Sequence, residues 1–165
     1  MTLKDLSQLD HAERCGKTKM PSAYVPINKY TDKTAAGLEK SICRFLALKG
    51  HQAERIKNMG VAVDNTKTFT DALGFTRKIG SVDYRKGTGT KGSADVHSTI
   101  KLLFHGQTIG LKVTWEVKIG KDKISNDQLD YAESVRASGG RAYFVRTWDE
   151  FYKYYCQLLA EFGNV

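Results

Sequence analysis

The segment from Asp95 to Lys118 constrains the fold of this 165-residue chain more than any other. His105-Gly106 supplies a two-residue turn, because hairpin turns of this kind need positive φ angles and glycine accepts them without steric cost. Pairing Phe104 with Gln107 carries a register back along both strands until Asp95 stands opposite Glu116. Opposed residues of an antiparallel pair share a face. One face then carries Val96, Ser98, Ile100, Leu102 and Phe104 against Ile109, Leu111, Val113, Trp115 and Val117. The other carries Asp95, His97, Thr99 and Lys101 against Lys112, Thr114, Glu116 and Lys118. A slip of one residue would mix the two sets, so their segregation fixes the register.

This register brings two carboxylates to about 5 Å between Cβ atoms, the spacing of directly opposed strand residues. Lys118 follows two residues on along the same face. Like charges this close repel, and a divalent cation between them would reverse the sign of that energy. A solvated face on which both acids pair with neighbouring lysines fits the same periodicity. The pattern alone leaves both readings open.

Around the hairpin the chain reads as arm, helix, strands, hairpin, helix, strand, helix. Residues 1–33 are polar, weakly patterned and hold both prolines, Pro21 and Pro26, and read as an N-terminal arm that docks either on the domain or on a partner chain. Residues 34–165 read as one domain. Gly16-Lys17-Thr18 matches the end of a phosphate-binding loop, but His11 stands where that loop needs its first glycine. A helix is predicted over 34–49 from Leu38, Ile42, Phe45 and Leu46, with Gly50 as its stop. Val61 to Val63 opens an extended stretch, followed by a Gly-, Thr- and Lys-rich run with Arg77, Lys78, Arg85, Lys86 and Lys91. Ser125 and Gln128 have capping-box spacing for a helix over 126–137, ended by Gly139-Gly140. Residues 141–146 read as a buried strand. Thr147 and Glu150 read as a second capping box, opening a helix with Phe151, Tyr154, Tyr155, Leu158 and Leu159.

Lysine and arginine number 26 against 18 acidic residues, a formal charge of +8. That balance suits a polyanion, since each phosphate contact releases counterions, though an anionic membrane surface fits the same arithmetic. Cys15, Cys43 and Cys156 are far apart and form no C-x-x-C pair, which argues against a disulfide framework or zinc site and for a reducing compartment. No apolar run approaches the roughly 20 residues of a membrane span, and the first residues lack the apolar stretch of a secretory signal. The expectation is a cytoplasmic protein without a membrane partner.

Gly92-Ser93-Ala94-Asp95-Val96 followed by Trp115-Glu116-Val117-Lys118 resembles the divided motif of the PD-(D/E)XK nuclease superfamily. More closely, Glu39 to about Glu150 resembles the VRR-NUC family: an early helix with a glutamate, a basic Gly-rich run ending in G-x-x-D, a strand with E-V-K, and a helix opening with S-x-x-Q. E-x-K alone is nearly worthless as a motif; the ordered set, over most of the chain, is more specific. One departure is Ala94 in place of the family's proline, a residue that shapes backbone and ligates nothing.

The resemblance implies an α/β fold with a mixed central β-sheet flanked by α-helices, and use of magnesium or manganese. Asp95 and Glu116 would be hard oxygen ligands, with the backbone carbonyl of Val117 as a further one. Lys118 would orient the attacking water or neutralise developing charge. Glu39 either completes the metal shell or is an exposed helix glutamate. Gln128 either holds a phosphate or the attacking water, or only caps its helix. Tyr131, one turn on, reads as packing. Arg85, Lys86 and Lys91 would grip the DNA backbone. His97 and His105 have no partners at metal-ligand spacing and receive no role.

The expected function is a metal-dependent endodeoxyribonuclease recognising DNA structure. Stand-alone family members of this size resemble Holliday-junction resolvases that act as symmetric homodimers, and two-fold symmetry matches a four-way junction. The alternatives are a restriction-like or repair nuclease on duplex or flapped DNA, and a catalytically silent DNA-binding module. An RNA target is also open.

Overall fold

In the computed structural model, which describes residues 1–56, 60–85, 87 and 89–163, the hairpin closes where its turn residues require. His105 and Gly106 have φ angles of 47° and 77°, and Phe104 pairs with Gln107. The ladder runs back to Val96 opposite Trp115, one step short of the expected Asp95–Glu116 pair, Asp95 standing just before the strand. These are the two long strands, β6 (Val96–Phe104) and β7 (Gln107–Val117). On the apolar face Val96, Ile100, Val113 and Trp115 are fully buried.

Two further strands complete a four-stranded sheet in the order β1-β6-β7-β8. The first, β1 (Gln52–Arg55), runs antiparallel to β6. The last, β8 (Arg141–Val145), runs parallel to β7. A parallel neighbour needs a crossover connection. Here it is helix α3 (Asn126–Ala137), whose Ala132 and Val135 pack with Ala142 and Phe144 of β8.

The apolar side of the sheet is covered by α1 (Leu3–Gly16), α2 (Ala35–Leu48) and α4 (Trp148–Glu161). Leu38, Ile42, Phe45 and Leu46 of α2 join Trp148, Phe151 and Leu158 of α4 and Trp115 of β7 in one cluster. Phe45 stands at its centre, edge-on to Trp148, Phe151 and Tyr155 at 5.0–5.7 Å between ring centroids. The architecture is mixed α/β, a mixed central sheet with helices on both faces. No helix among the described residues is long and apolar enough to cross a membrane.

One local reading of the sequence is made specific and another needs correction. Residues 1–33, expected as an arm, open with α1, capped by a reciprocal Thr2–Asp5 box. Its Leu6 is fully buried in the main core, and the Met1 carbonyl accepts from Trp148 Nε1 at 2.9 Å. Asp10, also fully buried, accepts from Arg44 of α2 at 2.5 Å and from Asn28 at 2.7 Å. Thr147 caps α4 through the Glu150 N–H, but Glu150 accepts from the Arg146 N–H and not from Thr147. The bond is one residue off a reciprocal capping box.

The chain divides into two units, Met1–Ile56 with Gly92–Val165, and Lys57–Lys91. The second holds β2 (Val61–Asp64), β3 (Lys67–Thr70), β4 (Thr76–Ile79) and β5 (Val82–Arg85). In it β2 pairs with β5 and β3 with β4, both antiparallel.

Candidate metal centre and active site

Asp95 is fixed by backbone at the mouth of the hairpin, from two sides. Its carbonyl accepts from the Ile56 N–H at 2.7 Å, just beyond β1, and its Oδ2 accepts from the Val117 N–H at 2.9 Å. Gly92 sets the loop that delivers it. The φ there is +76°, and a Cβ would stand 2.1 Å from the Asp127 carbonyl oxygen. Only glycine lets this loop lie against the first turn of α3.

Glu116 is 5% exposed, on the polar face of β7 beneath α3. Its Oε1 accepts from Gln128 Nε2 of α3 and lies 3.1 Å from Lys118 Nζ. Burial, and then the neighbouring charge of Asp95, hold the Glu116 carboxyl above its ordinary range; Lys118 opposes them without cancelling them. The bland expectation of an acid paired with a lysine is thus half realised. The pairing coexists with repulsion from a second buried-side carboxylate.

Gln128 caps its helix, one of the two roles the sequence offered, and also makes a contact the sequence did not offer. Its Oε1 accepts from the Ser125 N–H at 3.0 Å to complete the capping box, while its Nε2 reaches Glu116. The cap aims the amide: fixing one end of the side chain to the helix start leaves the other end over β7.

Sequence reasoning missed a neighbouring cluster. His97 follows Asp95 by two residues, on the same polar face, opposite Thr114 of β7 and Glu54 of β1. Its Nε2 lies 3.1 Å from the Tyr131 hydroxyl and 3.2 Å from Ser93 Oγ. The His97 and Tyr131 rings stack, 6.0 Å between centroids and 9° between planes. Burial and the Lys112 charge lower the His97 pKa, against a smaller opposing effect of Glu54. The available signals were the period of two from Asp95 and the helical step of three from Gln128 to Tyr131.

Glu39 and the basic run have other surroundings. Glu39 of α2 is in an ion pair with Arg55 of β1, its Oε2 accepting from Arg55 Nε at 2.6 Å. Among the described residues no three His, Cys, Asp or Glu side chains converge as a metal-sized group, so Glu39 is not gathered with Asp95 and Glu116. Arg85 ends β5 and Lys91 is exposed, both in the Lys57–Lys91 unit. Lys86 lies outside the described residues.

No family model, curated protein or solved structure matches this chain. The geometry of the centre therefore carries the functional reading.

That geometry fits a hard divalent ion. Magnesium is commonly held by one or two carboxylates, the remaining positions going to water and substrate phosphate. Asp95 and Glu116 supply two carboxylates close enough that the charge of Asp95 acts on Glu116.

Proposed function

We propose that the protein is a metal-dependent endodeoxyribonuclease of the VRR-NUC kind, hydrolysing phosphodiester bonds in structured DNA. The observation that carries the reading is the buried Glu116 carboxylate held against Asp95, Lys118 and Gln128. Folding alone does not favour two neighbouring carboxylates, whereas a bound cation does.

Asp95 and Glu116 would hold magnesium or manganese. The Val117 carbonyl, which strand geometry sends to the same side as the N–H that binds Asp95, would be a third ligand. When bound, the ion supplies Lewis acidity at the phosphoryl oxygen and a more acidic water. The Ile56 N–H holds the Asp95 main chain and the Val117 N–H holds its carboxylate in place before substrate arrives. Gln128 fixes the rotation of the Glu116 carboxylate. Lys118 places a positive charge beside Glu116, where it neutralises charge that builds on the phosphate and orients the attacking water. Glu39 is engaged by Arg55, so the proposed donor set does not include it.

The substrate is DNA, with a four-way junction cut by a homodimer as the leading case. The test is a cleavage panel of junction, flap, duplex and single-stranded DNA, each with and without magnesium. Asp95→Ala and Glu116→Ala lose magnesium-supported cleavage. Lys118→Ala keeps DNA binding and loses about 10²–10³ in rate, the usual cost of removing one charge-stabilising group. Full cleavage by Asp95→Ala overturns this centre. Binding without cleavage of any substrate makes the protein a silent DNA-binding module.

A further inference from the structure

Residues 61–85 form one continuous β-ribbon. The pairs Val61 with Arg85, Asp64 with Val82, Lys67 with Ile79 and Thr70 with Thr76 all keep a single register. The break at Asn65-Thr66 and Gly80-Ser81 changes no pairing. There the Asn65 N–H still donates to the Ser81 carbonyl at 3.1 Å, and Gly80 lies so close that a Cβ would stand 2.6 Å from the Asn65 carbonyl oxygen. Ten residues of strand reach about 30 Å.

Neither face of this ribbon is buried. Val61, Phe69, Ile79, Val82 and Tyr84 are all exposed along its length, and at the tip Leu73 is 81% and Phe75 64% exposed. A lone two-stranded ribbon is marginal in water, and this much apolar surface on one marks a binding element.

The charges say for what. Every aspartate of the ribbon is spent on its own bends. Asp64 accepts from the Thr66 N–H, and Asp71 takes the Leu73 and Phe75 N–H groups and pairs with Arg77. Asp83 takes Asn65 Nδ2 and Ser81 Oγ. The cations Lys67, Arg77, Lys78 and Arg85 are exposed. Residues 57–91 together hold seven lysines and arginines against three aspartates, a formal +4, which a second copy would repeat and repel and a nucleic acid would attract. Duplex DNA admits a two-stranded ribbon in its major groove, and apolar side chains of DNA-bending proteins wedge between base steps.

We propose that the ribbon is an arm that grips branched DNA, its cations on phosphates and its Leu73 and Phe75 tip against bases unstacked at the branch point. The inference rests on the DNA reading above and deepens it by assigning branch recognition to residues of the Lys57–Lys91 unit. It is tested by fluorescence anisotropy in EDTA, comparing a four-way junction with linear duplex of equal length across a salt series. Leu73→Ser with Phe75→Ser loses about tenfold or more in affinity for the junction, as expected when unstacked bases have no apolar surface to stack on, and none for linear duplex. Lys67→Ala with Lys78→Ala, which leaves the Asp71–Arg77 pair intact, weakens both complexes. It also lowers the log–log salt slope by about 1 for each phosphate left without its cation.

Unchanged junction preference in the tip variant, or an unchanged salt slope in the cation variant, overturns the arm. So does a tip variant that turns monomeric in sedimentation while each subunit binds DNA as before, because the ribbon then serves a second copy. All of these substitutions are at exposed positions, and unaltered melting temperatures confirm that the body is folded. The EDTA readout is independent of catalysis: cleavage by Asp95→Ala would sink the nuclease reading and leave the arm standing.

Discussion

At the residue scale the decisive group is Glu116, because its environment works against its own charge. Burial and the Asp95 carboxylate raise its folded pKa above the ordinary 4.5. The stability this group contributes is therefore whole below the unfolded value and is lost as pH rises through the raised folded value. At neutral pH, without metal, ionised Glu116 opposes the fold. Glu116→Gln keeps the shape and an acceptor for Gln128 Nε2 while removing the charge. In EDTA at pH 7 it melts above the wild type, and the difference shrinks as pH falls toward 4.5. Magnesium reverses the order, because only the wild type gains stability from binding the ion. Thermal melts of both proteins with and without magnesium across this pH range check it; a variant that melts lower in EDTA at pH 7 contradicts the electrostatic account. Asp95, Glu116 and Lys118 were legible because a period of two tells which residues share a face. His97 and Tyr131 were not, since a helix-to-sheet contact 34 residues apart leaves no local pattern.

Elements were legible where one periodicity dominated. The β6–β7 hairpin follows from alternation plus a turn that tolerates positive φ, and α3 follows from its capping box. Helix α1 was missed because it presents little apolar surface: its buried residues are Leu6 and Asp10 alone, and the latter is buried only because Arg44 and Asn28 meet it. A helix read from a hydrophobic stripe is invisible when half its anchoring is an ion pair. The anchoring is nonetheless part of the core. Leu6→Ala should cost about 2–5 kcal/mol, the range for truncating a fully buried leucine, where loss of an appended arm would cost almost nothing. Urea unfolding measures it, and a change below about 0.5 kcal/mol, the scale of surface substitutions, would restore the reading of residues 1–33 as an arm.

On the scale of the whole molecule, the carboxylates belong to the unit of Met1–Ile56 with Gly92–Val165, and the exposed cations Lys67, Arg77, Lys78, Arg85 and Lys91 to the Lys57–Lys91 unit. The sequence showed those cations as a run but not as a ribbon, because Gly, Thr and Lys at high density obscure alternation. Each chain presents Asp95 and Glu116 once, so under the proposed nuclease function one chain would make one incision at a time. A four-way junction is resolved by two cuts on strands related by two-fold symmetry, and the simplest device with that symmetry is a closed dimer. The expectation is that DNA-bound protein sediments as two chains per junction, and that paired nicks appear symmetrically about the branch point. Mixing wild type with Asp95→Ala gives the sharper test: heterodimers hold one working centre and leave junctions nicked on a single strand. A monomer on the DNA, or equal cutting of linear duplex, removes the junction and the dimer while leaving the carboxylate centre untouched.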